Sequence, residues 1–359
     1  MRHRIILLAF LSACSLCAQS AFYVNGGTGN DSGDGSQGRP WKTISRAAQV
    51  LANTPYGAIV HVAPGDYAGA LTLRNGGSGR LTFLSDVHWG AHVFSAGVDR
   101  VVSINGDSIT FQGFEVTGDL ISRLGIIING SYDYVIDNHV HALPTATCTS
   151  NGGAGIDSAS ATGHDNDIVR NLVHDIGFGL PCDLVHGIYY ANRGGHCSNN
   201  IVYRVPGAGI NTWHGANSVI ISNNLVFAAA EDGILIGNGD SGSGSADHFV
   251  VTNNIVINNG HYGITEFGKA VGRSNVYASN NVYGNSAGDY HIISGVTPTG
   301  TVSADPRFVD YQPDGSGDYH LGTASPSVDR GTNTGAPVTD LNGVARPANM
   351  MFDIGPYER

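Results

Sequence analysis

Two short stretches of the chain carry side chains that can perform acid–base chemistry. They read HGIYYAN at 186–192 and GINTWHG at 209–215. An imidazole titrates near neutral pH and can give or take a proton, and a phenol can protonate a leaving oxygen. An amide can orient hydroxyl or carboxylate groups, and an indole offers a flat apolar face. The two stretches form one site only if the fold stacks the Gly-Ile pairs at Gly187 and Gly209 on each other.

The Gly-Ile pair is part of a repeat that runs through the middle of the chain. Gly-Ile pairs begin at Gly125, Gly155, Gly187, Gly209, Gly233 and Gly263. Segments of the type Asn-x-Val, or close variants, begin at Asn138, Asn171, Asn200, Asn224, Asn254 and Asn281. Fixed signals at variable spacing predict a fixed framework that carries loops of different length. We therefore expect a solenoid of short parallel strands, with one signal of each kind in every turn.

Alternation along the strands predicts which side chains face inward. An apolar residue stands three positions before each Asn, which predicts an inward column: Val135, Ile168, Cys197, Ile221, Val251 and Ala278. The Asn residues are expected to stack at a turn, because Asn tolerates left-handed backbone. An outward stack is expected three positions after the Asn residues, serving either packing or a second binding strip: His141, His174, Tyr203 and Phe227.

The Gly-Ile strands predict a polar groove on the outer surface. Two positions after each Gly the outward column reads Ile127, Asp157, Tyr189, Asn211, Leu235 and Thr265. The position before each Gly reads Leu124, Ala154, His186, Ala208, Asp232 and Tyr262. Neighbouring turns lie about 4.8 Å apart, so Asp157, Tyr189 and Asn211 are predicted to be successive neighbours. Trp213 and His214 follow on the same strand and join this patch.

Two long insertions, 143–154 and 177–186, precede consecutive Gly-Ile strands and should stand side by side beside the groove. Each carries one cysteine, and in an oxidising compartment a Cys148–Cys182 disulfide is expected. Cys197 falls in the inward column and is predicted to be a buried free thiol. A third insertion, 237–247, is rich in Gly and Ser and is predicted to form a mobile lip.

The repeat and both ends of the chain resemble the secreted right-handed parallel β-helix proteins of the pectate lyase-like superfamily. FYVNGGTGNDSGDGSQGRPWKTISRAAQVL at 22–51 resembles the N-terminal part of that family. The resemblance implies a strand, a Gly- and Asp-rich loop and an amphipathic helix, from about Thr43, that caps the open end of the coil. ADPRFVD, DYHLGTASPSVDRGT and TDLNGVARP…DIGPYE resemble the terminal segment of bacterial surface-type β-helix repeat proteins.

The expected fold is therefore all-β, a single-stranded right-handed parallel β-helix with an N-terminal capping helix. The expected divisions are 1–20 signal peptide, 21–60 N-terminal strand and capping helix, 61–300 parallel β-helix, and 301–359 C-terminal capping segment. The fold alone leaves the activity open, because β-helices support many functions.

Composition and charge narrow the setting. Gly is 51 of 359 residues and only 13% of the chain is charged, which suits turning β-structure built on neutral polar groups. A net charge of −11 argues against nucleic acid. The first residues, MRHRIILLAFLSACSLCAQSA, predict a secretory signal cleaved near Ser20 or Ala21, or alternatively a lipoprotein signal with lipidation at Cys14. No later segment is long enough to span a bilayer. We expect a monomer that is secreted, periplasmic or attached to the cell surface.

The most specific functional hypothesis is a polysaccharide lyase that cleaves a uronate-containing glycan by β-elimination. His186 and His214 would transfer protons, and Tyr189 would act as their acid or base partner. Substrate placement is assigned to Asp157, Asn211, Trp213, Arg193, Asp232 and Glu231. Arg193 or a cation would neutralise the uronate carboxylate.

The sequence leaves open two other functions and the question of a bound cation. Glu231, Asp232 and Glu266 could instead act as paired carboxylates of a glycoside hydrolase. The family's calcium-dependent lyases imply Ca²⁺, but their carboxylate pattern and basic residue find no clear match. His164, Asp165 and Asp167 could bind a cation or form an Asx-rich turn, and Lys269 and Arg273 have no certain place. A non-catalytic carbohydrate-binding surface protein is the third hypothesis.

Overall fold

The computed structural model describes residues 19–144, 148–158 and 162–359. The first part of the expected signal peptide, including Cys14, lies outside the described residues. In chain order the elements are β1 Ser20–Val24, α1 Ile44–Leu51, β2 Ala58–Val62, β3 Gly65–Ala68, β4 Leu71–Leu73, β5 Leu81–Ser85, β6 Ala91–Phe94, β7 Arg100–Ile104, β8 Ile109–Gln112, β9 Glu115–Thr117, β10 Leu124–Ile128, β11 Tyr134–Ile136, β12 His139–Leu143, β13 Gly153–Ser158, β14 Asp167–Val169, β15 Leu172–Ile176, β16 Val185–Tyr190, β17 His196–Ser198, β18 Ile201–Val205, β19 Ile210–Thr212, β20 Ile220–Ser222, β21 Leu225–Ala229, β22 Ile234–Asn238, β23 Val250–Thr252, β24 Ile255–Ile257, β25 Tyr262–Gly268, β26 Val276–Ala278, β27 Asn281–Tyr283, β28 Gly288–His291, β29 Phe308–Asp310 and β30 Asp318–Leu321.

These strands wind into a right-handed parallel β-solenoid with three long sheets, as the repeat predicts. Sheet A has the order β1-β2-β5-β8-β11-β14-β17-β20-β23-β26. Sheet B has the order β27-β24-β21-β18-β15-β12-β9-β6-β3. Sheet C has the order β28-β25-β22-β19-β16-β13-β10-β7-β4. Each full turn of the coil adds one strand to each sheet, and the apolar side chains that face inward form the core.

The two repeat signals contact each other across the coil. A Cβ atom placed on Gly155, Gly187 or Gly209 would overlap a methyl group of Val173, Val202 or Val226, respectively. Each of these valines stands two positions after a repeat Asn. Sheets B and C therefore approach so closely at this corner that only glycine fits opposite valine, which explains why both signals recur together.

The Asn residues form a buried ladder at the corner between sheets A and B. In each step the amide oxygen of one Asn accepts the backbone N–H of the Asn one turn earlier, as Asn224 does for Asn200 at 2.9 Å. Its NH₂ group donates to a backbone carbonyl of the same earlier turn, Cys197 O at 2.8 Å. The left-handed backbone lies one residue before each ladder Asn, at Asn223 for example (φ 55°). The expectation that the ladder Asn itself takes this conformation is wrong, because its side chain is needed inside the coil.

The last step of the predicted inward column is also wrong. Val251 pairs with Tyr277 and not with Ala278, and the ladder continues from Asn254 to Asn280 at 2.9 Å. The earlier pairs, Val135↔Ile168↔Cys197↔Ile221↔Val251, are confirmed. The register shifts by one because Asn280, not Asn281, stands two positions before Val282.

Two further elements pack against the solenoid, one near its N-terminal end and one on the outside of sheet B. Helix α1 begins after Thr43, whose hydroxyl accepts the Arg46 N–H at 3.1 Å. It packs against β1, β2 and β4. At the other end, the antiparallel pair β29–β30 and the residues after it pack on the outer surface of sheet B, where they bury aromatic residues such as Tyr203 and Phe227.

Candidate active-site groove

A groove of about 650 Å³ runs along the outer surface of sheet C. All the predicted site residues except Arg193 line it: Asp157, His186, Tyr189, Asn211, Trp213, His214, Glu231 and Asp232. The predicted outward column is confirmed by the strand register Asp157↔Tyr189↔Asn211↔Leu235↔Thr265, which continues to His291. The coil therefore brings residues from at least five successive turns onto one surface.

A disulfide-linked pair of loops forms one wall of the groove. Cys148 and Cys182 are bonded, as expected from their positions in neighbouring turns. Arg123 donates to the carbonyls of Asn151 and Gly152, both at 3.1 Å, and so fixes the first loop over the end of the sheet. Cys197, by contrast, is a buried free thiol, as predicted.

His186 is built into the floor of the groove as a neutral ring. Its Nδ1 accepts the backbone N–H of Ala208 at 3.2 Å, so in the neutral ring Nε2 carries the proton. Nε2 lies 2.9 Å from Asn211 Nδ2, and because both nitrogens are then donors, the amide is assigned in the flipped orientation, with its oxygen accepting from Nε2. Burial lowers the pKa of His186 to about 4, and only 5% of the residue is exposed. These contacts suit positioning of Asn211 better than the proton transfer expected of His186.

His214 has the contacts of a general base. Its Nδ1 is hydrogen-bonded to the carboxylate of Asp240, which leaves Nε2 as the nitrogen for proton exchange. The Asp240 carboxylate also accepts from Trp213 Nε1 at 3.2 Å. The hydrogen bond from His214 lowers the pKa of Asp240, and 55% of the His214 side chain is exposed. Asp240 lies in the loop 237–247, which the sequence predicts to be a mobile lip and not part of the site.

Tyr189 and Asp157 provide two groups that stay protonated more readily than usual. The Tyr189 ring lies between His186 and His214, with centroid distances of 5.4 and 5.9 Å. Burial, reinforced by the charge of Asp157, raises the pKa of Tyr189. Burial also raises the pKa of Asp157 to about 7, because Ile127 is its neighbour on the preceding strand. The Asp157 Oδ1 atom is buried without a hydrogen-bond partner.

A second histidine–carboxylate pair lies further along the groove. His261 Nδ1 contacts Asp232 Oδ1 at 2.9 Å, and the same oxygen accepts the Tyr262 backbone N–H at 3.0 Å. The ring of Tyr262 stacks on His291 at 4.8 Å. His261 and His291 were missed, although His261 precedes a Gly-Ile pair much as His186 does, and this similarity was the available signal.

Trp213 and Phe267 form an aromatic platform in the groove, with ring centroids 6.0 Å apart. A Cβ atom at Gly237 or Gly239 would collide with the indole ring. Glycine therefore allows the indole to lie directly on the backbone of the next turn. Phe267 is 58% exposed, and exposed aromatic rings of this kind are suited to packing against a ligand.

Several predicted residues lie outside the groove. Arg193 is exposed in a turn whose backbone bridges to His164 and Asn217, on the path toward sheet A, so its assignment to the site is wrong. Glu266 is fully buried and accepts from Tyr277 and Ser294, so its assignment as a hydrolytic carboxylate is wrong as well.

The remaining charged candidates do not line the groove either. Lys269 and Arg273 are exposed and do not line the groove. Asp165 contacts His164 at 2.9 Å, and Asp167 contacts His196 at 2.7 Å. The carboxylates of this segment are thus paired with histidines and not gathered around one point.

The described residues that line the groove make it acidic. None of them is Lys or Arg, and four are carboxylic acids: Asp157, Asp183, Glu231 and Asp232. Within the described residues, the one group of three potential metal ligands within 4.8 Å of one another lies elsewhere, on sheet B. The donor set of the groove therefore does not fit a preformed Ca²⁺ site, which needs several converging oxygens.

Comparison with known proteins agrees with the architecture. A family model described as "Disaggregatase related" matches residues 184–341, and one described as "Protein of unknown function (DUF1565)" matches residues 27–74. None of the curated proteins matches the chain with significance. Among the described residues, no helix is long and apolar enough to cross a membrane.

Solved structures superpose over most of the chain. The pectate lyase Pel9A aligns with a TM-score of 0.61 at 16% identity, over 96% of this chain and 98% of that one. A rhamnogalacturonan lyase aligns with a TM-score of 0.55 at 13% identity, over 86% and 97%. XylC, solved with xylose, aligns with a TM-score of 0.52 at 12% identity, over 75% and 68%. Identities this low show the fold and not the activity. The comparisons therefore show that this chain has the right-handed parallel β-helix fold of these structures.

Proposed function

We propose that the groove binds a polysaccharide and cleaves a uronate-containing glycan by β-elimination. The observation that carries this proposal is the His214–Asp240 pair beside the Tyr189 ring, on the same surface as the Trp213–Phe267 platform. A carboxylate that holds one imidazole nitrogen and leaves the other available is a common arrangement for a general base. The aromatic platform supplies a surface on which a sugar ring can pack.

In the proposed reaction, His214 Nε2 removes the proton from the carbon beside the uronate carboxylate. The electron pair of that C–H bond forms a carbon–carbon double bond, and the glycosidic C–O bond breaks. Tyr189 donates its phenolic proton to the departing oxygen, for which its raised pKa keeps it protonated. Since no Lys or Arg lines the described groove, neutral donors must hold the carboxylate: the Asn211 amide and Asp157 in its protonated form.

Hydrolysis is the second candidate, with Glu231 and Asp232 as the carboxylate pair now that Glu266 is excluded. Both line the groove, but Asp232 is committed to His261 and to the Tyr262 backbone. A non-catalytic glycan-binding surface is the third candidate, supported by the aromatic platform alone.

The decisive experiment is to incubate the purified mature chain with polyuronates and with neutral glycans, recording ultraviolet absorbance of unsaturated uronates and reducing ends together. Both signals rise in a lyase, reducing ends alone rise in a hydrolase, and retained glycan binding without either supports a binding protein. Replacing the proposed base, His214→Gln, should lower kcat about 100-fold or more, the usual contribution of a positioned base.

A matched control is available for this variant. His61 also pairs with a carboxylate, Asp86, at 2.7 Å, but it lies on sheet A away from the groove. The His61→Gln protein should retain full activity. Equal activity of the His214→Gln protein and the wild type would remove His214 from the mechanism.

The remaining proposals concern organisation. We propose export through residues 1–20, which agrees with the Cys148–Cys182 disulfide, since disulfides persist in oxidising compartments. Ser20 pairs with Ala58 in β1, so this strand reaches the proposed cleavage point. We also propose that α1 and residues 301–359 act as caps of the coil, and that the protein is a monomer.

A further inference from the structure

Three histidines gather on the outer surface of sheet B, away from the groove. His139 and His141 alternate on β12 and so point to the same side, and His141 pairs with His174 of β15. One nitrogen atom of each ring lies within 4.8 Å of the others. We call these residues the His trio. They begin the outward stack that continues through Tyr203, with His174–Tyr203 centroids 4.6 Å apart.

Carboxylates orient two rings of the His trio. His174 Nδ1 contacts Asp175 at 2.7 Å, so Nδ1 carries a proton and Nε2 presents its lone pair. That Nε2 lies 2.8 Å from His139 Nε2. His141 Nε2 lies 2.9 Å from Glu115 Oε1 on the neighbouring strand β9. A carboxylate that holds the far nitrogen of a histidine is the usual support around protein-bound metal ions.

Burial affects the pKa values of two rings in the His trio. Burial lowers the pKa of His139 to about 3, and the neighbouring His141 and His174 add to the effect. Burial also lowers the pKa of His174, although the hydrogen bond to Asp175 opposes this change. All three residues remain partly exposed, which leaves a path for an ion.

We propose that the His trio is a binding site for a borderline divalent cation, Zn²⁺ foremost, with Asp175 and Glu115 as the carboxylates that orient two of its ligands. Bonds of about 2.0–2.1 Å in a tetrahedral site place ligand atoms about 3.3 Å apart. The observed separations, from 2.8 Å to within 4.8 Å, bracket that value. Imidazole nitrogens favour Zn²⁺, Cu²⁺ and Ni²⁺ over Ca²⁺ and Mg²⁺. Bound metal would link strands β12 and β15 on the surface of sheet B.

The test is a titration of the untagged mature chain, first stripped with a chelator, with ZnCl₂ in a calorimeter. One equivalent should bind saturably and raise the melting temperature. The His139→Gln and His174→Gln variants should each bind on the order of 100-fold more weakly, because each removes one ligand. The Asp175→Asn variant should bind about 10-fold or more weakly, an effect that a purely structural stack would not produce.

Two controls separate this site from the groove and from general effects of the stack. Tyr203→Phe alters the same stack without removing a ligand atom, and His214→Gln alters a histidine–carboxylate pair in the groove; both should keep the affinity for Zn²⁺. His141→Gln serves if another variant fails to fold, as judged by circular dichroism. Absence of saturable binding, or unchanged binding in folded His139→Gln and His174→Gln proteins, would overturn the proposal whether or not the groove is a lyase site.

Discussion

At the residue scale, two histidines of the groove differ because their neighbours differ. The Ala208 N–H occupies one nitrogen of His186, and Asn211 occupies the other. His214 has a carboxylate partner and an exposed side chain instead. The same side chain is thus suited to orienting an amide at one position and to exchanging protons at the other.

The raised pKa of Asp157 predicts how the activity and the stability of the protein depend on pH. If protonated Asp157 holds the substrate carboxylate, activity should fall as pH rises through about 7, where this carboxyl ionises. The Asp157→Asn protein keeps a neutral donor and should lose that alkaline fall in its pH–rate profile. The free energy of unfolding should also fall as pH rises. The reason is that Asp157 keeps its proton in the folded state between pH 3.8, the ordinary pKa of the group, and about 7. Over that interval this group should lower the free energy of unfolding by up to about 4 kcal/mol.

Urea denaturation at several pH values measures the fall in the free energy of unfolding. The Asp157→Asn protein should lack this part of the decline, whereas Asp66→Asn, which changes a carboxylate with 78% of its side chain exposed, should leave it unchanged. An unaltered pH profile of activity in the Asp157→Asn protein would contradict the assigned role.

At the element scale, the Asn ladder connects successive turns through both polar ends of each amide. Asn224 accepts from Asn200 N–H and donates to Cys197 O, and all three groups are buried. The ladder places each turn in register with the next, and this register creates the column Asp157, Tyr189 and Asn211 in the groove.

We expect Asn224→Ala to lower the free energy of unfolding by about 2–4 kcal/mol, since it leaves a buried donor and a buried acceptor unpaired. Urea denaturation provides the measurement, with Asn53→Ala, at an exposed position, as the control that should change little. A loss as small as that of the control would show that water or the backbone replaces the ladder contacts.

At the scale of the whole molecule, the C-terminal segment protects the apolar outer surface of sheet B. Ile354, Tyr319 and Leu321 pack against the strands there. Arg346 anchors the segment through a fully buried pair with Glu358 and a bond to Asn199 at 3.2 Å. Without this cover, the aromatic part of the outward stack would face water.

Arg346→Met should destabilise the protein by about 3–5 kcal/mol, because it leaves the Glu358 carboxylate buried without a partner. Thermal unfolding and binding of a hydrophobic dye would report the loss and the exposed surface. Arg330→Met, at an exposed position, should have little effect. Normal stability of the Arg346→Met protein would mean that apolar packing alone holds the segment.

The solenoid and most of the groove could be predicted from the sequence. The reason is that the contacts of Gly with Val and the Asn ladder leave little choice in the register between successive turns. It failed at Asn281, although Asn280-Asn281-Val282 also fits the Asn-x-Val pattern with Asn280 as its start. It could not place Arg193 or Asp240, because nothing in a loop sequence fixes the direction in which the loop leaves the coil. Nor could it assign His186, whose behaviour depends on one backbone N–H from the next turn.

The contact between glycine and valine has a bearing on how such a chain can diversify. A stretch from one ladder Asn to the next contains a complete set of complementary surfaces, so it can be duplicated, lost or exchanged without disturbing the interior. Residues 200–223 form one such module and carry Asn211, Trp213 and His214 together. New specificity can therefore arise by exchange of one whole turn, while the other turns of the solenoid stay the same.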